Sequence, residues 1–272
     1  MSAIDRRGFL AVLGFGAVAV AVGGPIVAAE QAPATVATGM PESFPMQDPD
    51  LVRQTVGYSH GKFAELRALV EARPALANAA IDWGFGDWET AIGAASHTGQ
   101  RGIAEFLIQH GARPDLFTFA MLGNLAAVRG VLEAEPSLAE LKGPHGIPLL
   151  AHAKAGGEQA VAVFDYLTGL GNAGERYRDE PLTDVEKKVL LGEYAFGGGP
   201  RDRFVVAEGM GGMTLGRIGG PPRRLFHQGG LVVHPGGAPA VRIAFEPAGS
   251  RATVRVTEAD RIVEATRSAS KP

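Results

Sequence analysis

The chain has 272 residues, of which 46% are hydrophobic and 20% are charged, so it can bury a sizeable core and is not disordered as a whole. Its formal net charge of −3 gives no sign of the basic face that a nucleic-acid-binding protein needs. The absence of cysteine excludes disulfides, thiolate catalysis and cysteine-ligated metals. A domain usually holds about 100–200 residues, so we expect one or two domains.

Residues 1–29 have the pattern of a secretory signal peptide. Arg6 and Arg7 precede an uncharged apolar run that ends in small residues near Ala29. The paired arginines resemble a twin-arginine export signal, which implies a periplasmic protein exported in the folded state. We expect cleavage near Ala29, a flexible leader over residues 30–50, and no stable membrane span afterwards. An uncleaved membrane anchor is the alternative, although the glycines and the proline of the run weaken it.

Helical patterning begins after the leader and repeats four times. Each copy starts at a glycine, and apolar residues follow at offsets of five and eight. The glycines are Gly61, Gly99, Gly123 and Gly156; the first apolar set is Leu66, Ala104, Val128 and Val161; the second is Leu69, Leu107, Val131 and Phe164. This spacing predicts a helix with one apolar face after each glycine.

Two of the copies carry a recognisable signature. Thr90–Gly99 has a threonine, an aliphatic third position, an alanine and a closing glycine, and Ile147–Gly156 retains the Pro-Leu pair. On these residues the region 51–171 resembles an ankyrin repeat domain. The signature histidine is replaced by Gly93 and Leu150. The resemblance implies a solenoid of four helix-pair units that binds another protein.

The chain changes character after Gly171. A linker over residues 172–190 contains a short helix near Thr183–Lys188, and short apolar runs then alternate with glycine and proline over residues 191–267. Period-two alternation within these runs predicts six or seven antiparallel strands in a small sandwich or barrel. The expected fold class is therefore α+β, with an ankyrin-like helix-pair solenoid followed by this β domain.

The seven histidines raise the question of a metal site. No His-Glu-x-x-His motif is present, and no acid stands at a spacing that completes a site. His60 and His97 occupy nearly equivalent places in two units and could face the concave side together, while His227 and His234 could share one face of a hairpin. Ordinary structural roles outweigh both ideas, so the sequence predicts no metal and no cofactor.

No nucleophile elbow and no phosphate-binding loop is present either. The sequence therefore predicts no catalytic residues and a protein that is not an enzyme.

The strongest functional signal is the aromatic cluster of Trp83, Phe85 and Trp88 in a glycine-rich turn, because large aromatics on loops dominate many interfaces. The sequence predicts protein–protein binding outside the cytoplasm, for example as an accessory to an exported enzyme. The partner-binding residues are predicted to be Trp83, Phe85, Trp88, His97, Met121 and His145.

Three alternatives remain open. The aromatics could fold back over the stack or clamp the β domain. The protein could be an enzyme with its site at the junction of the two parts. The β domain could bind a carbohydrate or lipid, with the repeats as its scaffold.

Overall fold

The computed structural model describes residues 39, 42–209, 211–218, 220–247 and 252–268. The predicted signal peptide, with Arg6, Arg7 and the cleavage site, lies outside these residues. No helix among the described residues has the length and apolar character needed to span a bilayer.

The first half of the described chain is helical. Its helices, together with one that precedes the barrel, are α1 (Pro49–Tyr58), α2 (Phe63–Ala72), α3 (Ala91–His97), α4 (Arg101–Gln109), α5 (Leu116–Met121), α6 (Leu125–Ala134), α7 (Leu149–Ala155), α8 (Val161–Leu170) and α9 (Asp184–Leu190). Consecutive helices up to α8 pack in pairs, and α1, α3, α5 and α7 pack side by side. We call α1–α8 with their connections the helical layer.

Polar caps set where several of these helices begin. The Thr90 hydroxyl accepts from the Gly93 N–H (3.0 Å) at the start of α3, and Asp115 accepts from the Thr118 N–H (2.8 Å) at the start of α5. Thr183 and Glu186 form a reciprocal capping box on α9. These side chains satisfy N–H groups that a helix terminus leaves without partners.

The predicted apolar face is correct in three of the four copies at the first offset. Leu66, Ala104 and Val128 are fully buried, whereas Val161 is 50% exposed. A short 3₁₀ segment over Gly157–Ala160 precedes α8 and changes its phase, so that α8 buries Val163 and Leu167 instead. At the second offset, Leu107 is buried in α4, and Leu69 in α2 and Phe164 in α8 are half-buried. Val131 in α6 is exposed, so the prediction fails at that position.

The repeated glycines allow neighbouring units to approach closely. A Cβ at Gly123, where φ is +73°, would overlap the carbonyl oxygen of Gln159, and a Cβ at Gly156 would overlap that of Met121. The sequence repeat at these positions therefore reflects backbone-to-backbone packing between units as well as helix initiation.

The second half is a closed antiparallel β-barrel. A separate hairpin of β1 (Ala80–Asp82) and β2 (Trp88–Thr90) belongs to the helical layer. The barrel strands are β3 (Gly192–Ala195), β4 (Arg203–Gly209), β5 (Gly212–Arg217), β6 (Arg223–Gly229), β7 (Val232–Pro235), β8 (Arg242–Glu246), β9 (Thr253–Glu258) and β10 (Arg261–Arg267). Each strand pairs with its sequence neighbours, and β10 pairs with β3 to close the barrel.

Of the two expected forms, a sandwich or a barrel, the β domain adopts the barrel. The strand count is a correction, because the barrel has eight strands where six or seven were expected. The expected apolar runs correspond to β4–β9, so β3 and β10 are the additional strands. Strand β10 could not be predicted from alternating apolar residues, because only Ala265 of its residues is buried and Ile262 is exposed.

The described residues from 42 onward form one compact unit, so the helical layer and the barrel pack against each other. The turn between β1 and β2 reaches β6, where Arg223 donates hydrogen bonds to the Gly84 carbonyl and to Asp87. Tyr177, which precedes α9, packs edge-on against Phe226 and His234 of the barrel. Polar and aromatic contacts thus join the two halves around the β1–β2 turn.

Candidate metal centre

Glu89 lies at the centre of a polar cluster inside this junction. In β2 its neighbours Trp88 and Thr90 face outward, which leaves Glu89 facing inward with 0% of its surface exposed. A buried carboxylate needs charged or hydrogen-bonding partners. The Trp83 indole N–H donates to its Oε2 atom at 2.7 Å.

Three imidazoles surround the other carboxylate oxygen. Oε1 of Glu89 lies 2.8 Å from Nε2 of His97, 3.4 Å from Nε2 of His145 and 3.6 Å from Nε2 of His60. His97 ends α3, His60 follows α1, and His145 lies in the 3₁₀ turn before α7. The four candidate ligand atoms all lie within 4.8 Å of one another, so three units of the helical layer contribute to one site.

The hydrogen bonds of Nδ1 show how the rings of His60 and His145 are oriented. Nδ1 of His60 lies 3.1 Å from the Val56 carbonyl oxygen, and Nδ1 of His145 lies 2.9 Å from Oδ2 of Asp87. Both oxygens can only accept, so each Nδ1 carries the hydrogen and donates it. In the neutral rings, Nε2 then offers its lone pair toward Glu89. Metal-binding histidines are held in this way by carbonyl or carboxylate partners.

The spacing of these atoms fits a metal ion. With metal–ligand bonds of about 2.1 Å, neighbouring ligand atoms are separated by about 3.0–3.4 Å in octahedral or tetrahedral geometry. The oxygen–nitrogen distances of 2.8, 3.4 and 3.6 Å lie close to this range. Three imidazole nitrogens and one carboxylate oxygen suit Zn²⁺, Fe²⁺, Co²⁺, Ni²⁺ or Cu²⁺ better than Mg²⁺ or Ca²⁺.

Asp87 holds His145 through both its backbone and its ring. Oδ1 accepts from the His145 N–H at 2.9 Å, Oδ2 accepts from Nδ1, and the backbone of His145 is left-handed with φ of +61°. Arg223 of β6 donates to Oδ2 of the same carboxylate at 3.1 Å. The barrel therefore supports the position of one candidate ligand.

The charges of the cluster reinforce one another. Burial alone would raise the pKa of Glu89, but hydrogen bonds from His145 and His97 more than offset it and lower the pKa to about 2. Burial alone would lower the pKa of His145, but its hydrogen bonds to Asp87 and Glu89 raise the pKa to about 9. Without a metal, the centre therefore holds a carboxylate and an imidazolium at neutral pH.

A fourth imidazole, His152, lies behind the cluster. Ser96 donates its hydroxyl hydrogen to the Phe117 carbonyl and accepts from Nδ1 of His152 at 2.8 Å. Burial lowers the pKa of His152 to about 3, so this ring is neutral. Its ring centroid is 6.3 Å from that of His97, which places it outside the four-atom set.

A cleft of about 260 Å³ connects the cluster with the barrel side of the junction. Its walls are formed by Trp83, Pro221 and Pro222, with His60 and His145 among the lining residues. A small molecule in this cleft would therefore meet two of the candidate ligands.

The predicted partner-binding residues separate into different environments. Trp83, His97 and His145 belong to or adjoin the cluster, while Trp88 is 64% exposed. The remaining two are Phe85, which packs against the barrel core, and Met121, which is fully buried in the core of the helical layer.

Sequence reasoning found part of the cluster. His60 and His97, which the sequence offered as a pair that ordinary structural roles outweigh, lie together with their ring centroids 5.0 Å apart. Glu89 and His145 were missed as ligands, because their distance along the chain hides their proximity. Their positions in the repeat could have suggested the link, because Glu89 lies just before the segment Thr90–Gly99 and His145 lies just before the equivalent segment Ile147–Gly156.

The second histidine pair, which the sequence offered only as an idea that ordinary structural roles outweigh, does not share one face of the sheet. His227 pairs with Val233 and His234 pairs with Phe226, so the two histidines face opposite sides of the sheet. A bulge between His227 and Gly229 shifts the register that a two-residue turn would impose.

No protein-family model matches the chain, and no curated protein is similar enough in sequence to count as a match.

Proposed function

We propose that this protein binds one divalent transition-metal ion through His60, Glu89, His97 and His145, and presents it to a small molecule in the adjoining cleft. The observation that carries this proposal is the convergence of three Nε2 atoms and one carboxylate oxygen within 4.8 Å. The proposal develops the alternative of an enzyme whose site lies at the junction of the two parts.

A simple buried ion pair would not need this arrangement. One cationic partner is enough to neutralise Glu89, yet three imidazoles direct Nε2 toward the same oxygen. The indole of Trp83 fixes the second carboxylate oxygen, and Asp87 fixes the ring of His145. Such supporting hydrogen bonds hold metal ligands in one orientation before the metal arrives.

The cleft gives this centre a role beyond structure. Structural zinc sites are closed by protein ligands, whereas catalytic sites keep a position open to water or substrate. His60 and His145 line the cleft, so the metal would face it from their side. A metal at this position would act as a Lewis acid or would activate a bound water molecule.

The test is metal titration of chelator-treated protein. We expect one Zn²⁺ or Co²⁺ per chain by isothermal titration calorimetry, with cobalt absorption bands typical of nitrogen and oxygen ligands. His97→Ala should weaken binding by more than the roughly 100-fold that changes to supporting residues can cause. His110→Ala is the matched control, because His110 ends its helix by bonding the Phe106 carbonyl, away from the cluster.

Two results would contradict the proposal: a wild-type protein that binds none of the five transition metals, or a His97→Ala variant with unchanged affinity. Glu89→Gln and His60→Ala provide independent checks on the same centre.

A second candidate function is protein binding, which the exposure of Trp88 favours. In this proposal, residues 51–171 are an ankyrin-like domain, and Arg6 and Arg7 direct export. A periplasmic partner then binds the β1–β2 turn. Trp88 is 64% exposed, so its apolar area is available to a partner.

Trp88→Ala should leave the melting temperature unchanged and cost about 2 kcal/mol or more of partner affinity. Thermal unfolding of the variant, measured beside binding to a partner recovered from the periplasm, checks both parts. A clear fall in melting temperature with unchanged affinity would exclude Trp88 as an anchor.

A further inference from the structure

A second cavity lies at one end of the barrel, away from the metal centre. It has a volume of about 340 Å³. The buried core residues Met213, Leu225 and Val233 form its apolar floor. The segment Asp179–Leu182, which we call the strap, and Lys187 of α9 form one wall. Cavities at the mouths of β-barrels are common places for small ligands.

His227 faces this cavity from the inside of the barrel. It is two residues beyond Leu225 on β6 and pairs with Val233 on β7, so it shares the inward face of both. Only 3% of its surface is exposed. The residue nevertheless lines the cavity, which places a polar ring among apolar core residues.

The strap determines which nitrogen of His227 is available. The ring Nδ1 lies 3.0 Å from the carbonyl oxygen of Glu180, which can only accept, so Nδ1 carries the hydrogen. The backbone of His227 is also bonded to the strap through Glu180 and Asp179. In the neutral ring Nε2 then carries a lone pair, and within the described part of the chain this atom has no hydrogen-bond partner.

A carboxylate stands at the same end of the barrel. Glu208 follows the inward-facing Phe204 and Val206 at alternate positions of β4, and it pairs with the buried Met213. The lining also holds Asp179, Glu180 and Lys187, and Lys187 lies 4.0 Å from Asp184 of its own helix. Asp179 and Glu180 are already paired with Arg224 and Arg178. Glu208 has no ion-pair partner among the described residues.

We infer that this cavity binds a small primary amine, whose ammonium group donates to Nε2 of His227 and pairs with Glu208 while its apolar body rests on Met213 and Leu225. A buried acceptor without a partner is costly, and an ammonium donor supplies the missing hydrogen bond. Glu208, the carboxylate of the lining that has no ion-pair partner among the described residues, favours a cation over an anion of the same shape. This site is independent of the metal centre.

The experiment compares three probes that share one apolar body: benzylamine, benzyl alcohol and benzoate. Calorimetric titration of the whole protein at pH 7 should detect benzylamine, with benzyl alcohol at least about tenfold weaker and benzoate undetectable. Addition of benzylamine should also shift the ¹⁵N resonance of Nε2 in His227. His234→Asn is a matched control, because this second buried histidine faces the opposite side of the sheet.

Two variants separate binding from folding. His227→Asn keeps a donor near the place of Nδ1 and removes the Nε2 acceptor, and Glu208→Gln removes only a charge from the rim. Each should weaken benzylamine binding at least about tenfold without lowering the melting temperature by more than the His234→Asn control does.

The inference is overturned if no probe binds, or if the alcohol or benzoate binds as well as the amine. It is equally overturned if the Glu208→Gln variant binds benzylamine as tightly as the wild type, since Glu208 has no hydrogen bond or ion pair to the strap in the described structure.

Discussion

At His145, the backbone N–H and the ring Nδ1–H both donate to the carboxylate of Asp87. The residue has a left-handed backbone with φ of +61°, which a side chain other than glycine adopts only when its surroundings impose it. Asp87 supplies that constraint and also raises the pKa of the ring. Backbone conformation, ring orientation and charge at this position therefore depend on one buried carboxylate.

Metal binding should release a proton from His145. The folded pKa of about 9 means that Nε2 is protonated at pH 7, and a metal must displace that proton. We expect the apparent Zn²⁺ affinity to rise about tenfold per pH unit from pH 7 toward pH 9 and then to level off. Titration calorimetry in buffers of different ionisation enthalpy would count the protons released, with about one expected at pH 7.

In the metal-free protein, the raised pKa of His145 makes the folded state less stable as the pH rises. Because the folded pKa of His145 exceeds the unfolded value near 6.5, its contribution is complete below pH 6.5 and is lost as the pH rises through 9. Asp87→Asn removes the main charge partner and should flatten both pH dependences. A proton count near zero at pH 7 for the wild type would show that Nε2 of His145 is not a metal ligand.

At the scale of elements, the close approach of α5 to α7 depends on Gly156. A Cβ at this position would overlap the carbonyl oxygen of Met121, which belongs to the backbone and cannot move aside cheaply. Gly156→Ala should therefore destabilise the protein by about 1–3 kcal/mol, the usual cost of overpacking.

Gly102 provides the matched control for this substitution. It lies exposed in α4 with no atom near the place of a Cβ, so Gly102→Ala should stabilise the protein by roughly 0.5–1 kcal/mol through helix propensity. Urea unfolding of both variants measures the two effects. Equal effects of the two substitutions would mean that the helices of adjacent units do not approach as closely as described.

Elements that follow a strict periodicity could be predicted from the sequence. Leu66, Ala104 and Val128 recur at one spacing and are all buried, because helices of one geometry repeat after each glycine. Val161 breaks the rule because a 3₁₀ turn before α8 changes the phase, and short 3₁₀ turns carry no apolar period of their own. Strand β10 was missed for a related reason, since its exposed Ile262 destroys the alternation.

At the scale of the whole molecule, one arginine links the barrel to the metal centre. Arg223 of β6 donates to Asp87 and to the carbonyls of Gly84 and Gly236, and it is nearly buried. Removing a supporting partner of a metal ligand typically costs 10–100-fold in metal affinity. Arg223→Gln should therefore weaken Zn²⁺ binding by about 10–100-fold.

Arg217→Gln is the control for this substitution, because Arg217 is an exposed arginine of the neighbouring strand and does not contact Asp87. Competition with a chromophoric zinc chelator measures both affinities, and circular dichroism verifies the barrel. Equal affinities of the two variants would show that the barrel does not support the centre.

The candidate centre could not be read from the sequence because it exists only after this assembly. His60, Glu89, His97 and His145 come from separate turns and helix ends, and no local spacing brings them together. Only the pair of His60 and His97 followed from the repeat, since equivalent positions of stacked units are neighbours in space. The role of Arg223 could not be predicted from the sequence, because it depends on how the barrel packs against the helical layer.

The indole of Trp83 donates to Glu89, so its fluorescence should report whether a metal occupies the centre. The chain has two tryptophans, and the other, Trp88, is 64% exposed, so the two should emit at different wavelengths. In a Trp88→Phe protein, all indole emission would come from the residue that touches the centre. Quenching by Cu²⁺ or Co²⁺, and its reversal by a chelator, would then report occupancy directly, without any label.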